Sequence, residues 1–136
     1  MPGDGDSEVV EFDAEAALAA ANDAIGPEKV FSCVVYDAES FRTAYVDDRL
    51  DELYADTERR REHFDEIHSY VHLDFTEQEL FEELFRDPEG VRAFVTYMGT
   101  LIAVRVVTEK QGVFFSIAPD APVTKLVSAV ETELRS

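Results

Sequence analysis

Apolar residues recur along this chain with two periods, one helical and one extended, and Gly, Pro and Asp mark most of the switches between them. After a Gly/Asp-rich opening from Pro2 to Ser7, Asp13 is placed to cap a helix, with Glu15 in its first turn where the helix dipole favours a carboxylate. Ala14, Leu18, Ala21 and Ile25 form one apolar stripe, and Gly26-Pro27 stops it. Ala16 stands three residues after Asp13, so no reciprocal capping box forms. The β-branched and aromatic run Val30 to Tyr36, the polar turn Asp37 to Ser40 and the run Phe41 to Val46 predict a β-hairpin.

Asp47 or Asp48 then opens a charged helix carrying Leu50, Leu53, Tyr54, Phe64 and Ile67, whose middle turn, Thr57 to Arg61, is polar all round and so exposed. Residues 67–75 are ambiguous: Val71, Leu73 and Phe75 alternate with polar neighbours as in a strand, while their position allows a helical continuation. We read them as an extended linker. Thr76 and Glu79 have capping-box spacing and predict a short helix with Leu80, Phe81, Leu84 and Phe85, ending near Asp87, Pro88 and Gly90. A meander follows, with strands Val91 to Tyr97, Thr100 to Thr108 and Val113 to Ala118, the turns at Met98-Gly99 and Glu109 to Gln111, and Gly112 leading the third strand. Pro119 ends it. Pro122 suits the first turn of a last helix with Val123, Leu126, Val127, Val130 and Leu134 on one stripe. The expected order is helix, two strands, one or two helices, three strands, helix. The fold class is therefore α+β, about five antiparallel strands with helices packed on them, in one domain over 13–136 after a flexible segment over 1–12.

Composition agrees with a globular chain. Its 136 residues suit one domain that buries roughly two-thirds of its unfolded surface, and 46% hydrophobic residues with ten Phe and five Tyr supply a core. No stretch has the length of a membrane span, and Met1 to Asp6 lack the basic-then-apolar order of a signal peptide, so a cytoplasmic protein is expected. Cys33, the single cysteine, lies in an apolar run and reads as a buried thiol.

Charge changes the picture most. The chain carries 30 acidic against 12 basic residues, a formal net charge of -18, and nine of those basic residues are Arg. The carboxylates are dispersed through every segment rather than blocked into a recruiting tail. Acidic excess with little Lys is the composition of a halophilic cytosol, where dissolved cations screen self-repulsion. No Lys/Arg stripe exists to release counterions from a phosphate backbone, which excludes direct nucleic-acid binding. Arg59, Arg60 and Arg61 lie between Glu58 and Glu62 and read as ion pairs along their own helix.

Candidate chemistry is sparse. His63, His68 and His72 are the only histidines. His68 and His72 share a helical face with Asp65 one turn earlier, or His72 and Asp74 share a strand face, and either set is at most part of a metal shell. Surface or half-buried histidines without a metal are expected. No serine lies in a GxSxG context, the six glycines make neither a P-loop nor a dinucleotide fingerprint, and pairs such as Glu82-Glu83 arise by chance at this acidity. Arg105 interrupts the apolar run Leu101 to Val107; with Arg92, also on the meander, it is a candidate anion-binding patch.

The element order resembles the profilin-like group of small α/β modules, above all the roadblock and longin families. The part most like a roadblock module is Val91 to Leu134: strand, Gly turn, strand, a Gly-led strand ending in Pro119-Asp120-Ala121-Pro122, then a helix. Small uncharacterised proteins of halophilic archaea are also similar, with Gln111 to Ser116 as the nearest segment. The resemblance implies no catalytic residue and no cofactor. It implies an adaptor that dimerises and holds a protein partner, with a ligand-binding sensory domain as the alternative.

Overall fold

A computed structural model describes residues 12–37, 39–47, 71–86, 90–108 and 111–135, with backbone only for 71–74. Helix α1, Ala14–Ile25, starts where Asp13 Oδ1 accepts hydrogen bonds from the amides of Glu15 and Ala16 at 3.0 and 3.1 Å. It ends at Gly26, whose φ of 95° lies in the region that favours glycine, with the Gly26 amide bonded back to Asn22 O. A 3-10 turn over Pro27–Lys29 leads into β1, Val30–Asp37, which returns as β2, Phe41–Val46. Asp37 makes that turn, its Oδ1 accepting from the amides of Glu39 and Ser40 at 2.8 and 2.7 Å.

Helix α2, Val71–Phe85, precedes β3, Ala93–Tyr97, β4, Ile102–Val107, and β5, Gln111–Ile117; helix α3, Val123–Leu134, follows. The five strands form one antiparallel sheet in the order β2-β1-β5-β4-β3. The hairpin and the meander are thus joined by β1 pairing with β5, which leaves β2 and β3 at the edges. This is the expected α+β architecture.

One sheet face is covered by α1 and α3. Cys33, Val35, Val104, Val106, Val113, Phe115 and Ile117 project onto Ala14, Ala17, Ala21, Leu126 and Val130, the main core. Alanine at three successive contact positions lets the two helices approach closely. Each fully buried Val, Leu or Phe stabilises by about 1.5–3 kcal/mol. Alternation places Val34, Tyr36, Val107 and the hydrogen-bonded hydroxyls of Ser32 and Ser116 on the opposite face, where they too are buried. Among the described residues no helix is long and apolar enough to cross a membrane.

Several expectations are corrected. Val71 to Phe75 is helix, not linker, and Thr76 lies inside α2 instead of capping it. The spacing of Val71 and Phe75 fits a helical turn as well as a strand, and no Gly or Pro separates them from the Leu80 to Phe85 stripe. Gln111 pairs with Asp37, so Gly112 is inside β5, and Pro122 is the N-cap of α3. In α1 it is Ala17 that is buried, with Leu18 at the margin. The charged helix expected from Asp47 or Asp48 to Ile67 and the start of the 67–75 segment lie outside the described residues, as does nearly all of the 1–12 segment.

Candidate interaction surface

Helix α2 faces the wrong way for an isolated amphipathic helix. Its inner side is Phe75, Gln78 and Glu82, spaced three and four residues apart. Gln78 is buried and its Nε2 donates to Thr108 O at 3.1 Å. Glu82 Oε2 accepts from the Val91 amide at 3.1 Å, fixing the entry into β3. Polar groups therefore hold α2 to the sheet. Four apolar groups of its second half are left outside: Leu80, Phe81, Leu84 and Phe85 are all exposed, Phe85 to 69% and Leu84 to 65%. Phe81 and Phe85 stack on each other with ring centroids 6.3 Å apart. An outward apolar ridge of this kind is a candidate interaction surface.

A second exposed apolar group lies at the far end of β3. Val95, Tyr97 and Met98 are exposed, Tyr97 to 72%. The Val107 amide donates to Arg92 O and the Met98 amide to Leu101 O, so the alternation of the ladder turns the backbone groups of Phe94 and Thr96 towards β4 and those of Ala93, Val95 and Tyr97 outward. Among the described residues no strand pairs with that outer edge.

The two arginines expected to form an anion patch each contact a neighbouring side chain. Arg92 holds Glu131 of α3 in a fork, Nε lying 2.7 and 2.9 Å from its two carboxylate oxygens and the Nη2 closing on Oε1. Arg135, one turn on, also reaches Glu131, at 3.3 Å. These bonds, Arg92's first, hold the Glu131 carboxyl below its ordinary range against the opposing effect of burial. Arg105 instead places its guanidinium 5.0 Å from the ring centre of its cross-strand partner Phe94.

His63, His68 and Asp65 lie outside the described residues; His72 is placed by its backbone alone, in the first turn of α2. Among the described residues no group of three His, Cys, Asp or Glu side chains is arranged to hold a metal. Cys33 is buried, as expected, and burial pushes its thiol up to about 12, far from a nucleophile's range. Sequence reasoning missed the roles of Gln78 and Glu131. Glu131 could have been found, since it interrupts the stripe Val127, Val130, Leu134 on α3; Gln78 carries no such signal.

No family model and no curated protein sequence matches the chain. Among solved structures it resembles the gliding protein MglB from Thermus thermophilus, at a TM-score of 0.52 and 13% identity over 94% of each chain. At that identity the likeness is one of fold, and the fold is roadblock-like.

Proposed function

We propose that this chain is a non-enzymatic protein-interaction module of a halophilic cytosol, and that it self-associates through the open edge of β3. The observation that carries the reading is apolar surface turned outward on both α2 and β3. Exposed strand edges invite pairing with another strand, and β3 is not blunted in its exposed half by a charged side chain or a proline. Two copies of β3 pairing antiparallel would make an isologous, closed dimer, with Val95 and Tyr97 of each copy near the axis. The roadblock-like fold supports the same reading by analogy. Nucleic acid and membranes are not its partners, because its acidity repels both phosphate backbones and anionic lipid.

A small-ligand sensor is the second reading, favoured by one observation: among the described residues no donor reaches the buried Gln78 Oε1. Light scattering in molar potassium chloride separates the two. We expect a dimer whose dissociation constant rises at least about tenfold in Tyr97→Asp, a substitution at an exposed position that desolvates a charge only on pairing. A strict monomer at high protein concentration would overturn the module reading and leave the sensor.

A further inference from the structure

The entry into β3 is fastened from three directions. The Val91 amide donates to Glu82 Oε2 of α2 at 3.1 Å, the Arg92 guanidinium forks onto Glu131 of α3, and the Arg92 carbonyl accepts from the Val107 amide of β4 at 3.1 Å. Glu82 makes a second tie. Its own carbonyl accepts from the Arg86 amide at 2.8 Å, so one residue holds both ends of the connection between α2 and β3. Both ends are left-handed, Arg86 with φ of 51° and Gly90 with φ of 72°. Glycine takes that conformation freely, an arginine only at a cost. A Cβ at Gly90 would overlap the Glu82 carboxylate, so glycine is needed there for its backbone and for the space the glutamate fills.

The rest of β3 is held more lightly. Among the described residues it pairs with β4 alone, and its second half, Val95 to Tyr97, is exposed. A short strand with one ladder and little burial frays, and an edge that frays must be ordered again whenever it pairs. Strain kept at such a connection points to a function for it. We propose that Glu82 and Glu131 are positioning residues for self-association: they pin the start of β3 to α2 and α3 and so pre-organise its outer edge for a second copy. The inference rests on the interaction-module reading and adds what controls it. Val91 and Arg92 stand five or six positions before Tyr97, roughly 16–20 Å along an extended chain, so the two glutamates act on the exposed end of the edge through the strand.

Two measurements on the full chain test this, in salt where circular dichroism shows the fold intact. Light scattering gives the dissociation constant of the dimer. Amide hydrogen exchange, at concentrations where the monomer predominates, gives the firmness of β3. Its reporters are Phe94 and Thr96, whose backbone groups turn towards β4, with Val35 and Phe115 on the paired strands β1 and β5 as reference. Glu82→Ala removes the acceptor for Val91, whereas Glu82→Gln keeps one in the same place and serves as the rescue. We expect Glu82→Ala to quicken exchange at Phe94 and Thr96 at least about tenfold, leave Val35 and Phe115 unmoved, and raise the dissociation constant at least about fivefold. Glu82→Gln should stay within about twofold of the parent in both. Gly90→Ala forces the carboxylate aside without changing it and should act like Glu82→Ala. Glu131→Gln should also weaken the dimer, by a factor that shrinks as salt rises, because salt screens an ion pair.

Unchanged exchange at Phe94 and Thr96 in Glu82→Ala overturns the proposal. So does faster exchange with an unaltered dissociation constant, or a loss in Glu82→Gln equal to that in Glu82→Ala. Each of these leaves the module reading standing. A parent chain that stays monomeric at high concentration overturns that reading, and this inference with it.

Discussion

Gly112 stands opposite Tyr36 across the β1–β5 ladder, and a Cβ added there would lie 2.5 Å from Tyr36 Oη and 2.6 Å from the ring carbon that bears it. The buried phenol occupies the space that a side chain at 112 would need. Gly112→Ala must therefore move a ring that has little room, and we expect it to lower stability by about 1–3 kcal/mol. Urea midpoints measure this, with Gly99→Ala as control, since nothing lies within 4 Å of a Cβ at Gly99. An unchanged midpoint for Gly112→Ala would show that Tyr36 is not held. Glu131 acts through charge. Its carboxyl is depressed, first by the hydrogen bonds from Arg92, so the unfolded chain takes up this proton at higher pH than the folded one. Its contribution is complete above the ordinary carboxyl range and is lost as pH falls through the folded value. Because Arg92 is half exposed, solvent screens the pair, and we expect Glu131→Gln to cost about 0.5–1 kcal/mol at neutral pH. Denaturation curves from neutral pH into the acid range should show that difference between parent and variant shrinking. A difference independent of pH would rule out the ion pair as its source. The comparison with the variant matters because protonating the other carboxylates of so acidic a chain also relieves repulsion.

At the level of elements, the sequence is legible wherever one local pattern and one packing direction agree. The Asp13 cap with its alanine stripe, the β-branched hairpin, the meander turning at Met98-Gly99, and the final helix after Pro122 all have their periodicity and their punctuation in register. α2 is where that agreement breaks. Periodicity shows that Leu80, Phe81, Leu84 and Phe85 share a face; it does not say that the face is inward. Two polar side chains decide the direction, Gln78 by reaching Thr108 and Glu82 by reaching Val91, partners 30 and 9 residues away. The start of α2 is hidden for a related reason, since five residues from Val71 to Phe75 fit an alternating strand and a helical turn equally. The order of the sheet is equally hidden. Nothing local to Val30–Asp37 announces that it pairs with Gln111–Ile117, because that choice is made by the shared core under α1 and α3. Arg92 and Arg105 are visible as polar interruptions of the meander. The contacts they make with Glu131 on a distant helix and with Phe94 across the ladder are set by the tertiary fold.

The whole molecule is governed by its -18 of formal charge. A folded chain of this length has a radius of gyration of about 14 Å. At about 10 mM salt the Debye length is about 30 Å, so every carboxylate on such a body interacts with every other; near 1 M it is about 3 Å, and only immediate neighbours do. Compaction raises the first energy steeply and the second hardly at all. Opposing local gains include Lys29 meeting Asp120 at the surface and Arg92 and Arg135 sharing Glu131, and exposed pairs of this kind are worth about 0–1 kcal/mol each. Apolar burial also strengthens in concentrated salting-out electrolytes. Both terms act in one direction, so folding should require molar salt or a screening divalent cation. Circular dichroism through a potassium chloride titration checks this: the cooperative thermal transition should be absent or strongly lowered in dilute buffer, rise through the range where the Debye length falls below the spacing of surface carboxylates, and return on dilution into salt. Magnesium chloride should reach the same midpoint at far lower concentration, because a divalent ion screens and bridges carboxylates more effectively. A transition in dilute buffer as high as that in molar salt would refute the halophilic reading, since the repulsion would then have been absorbed by the fold itself.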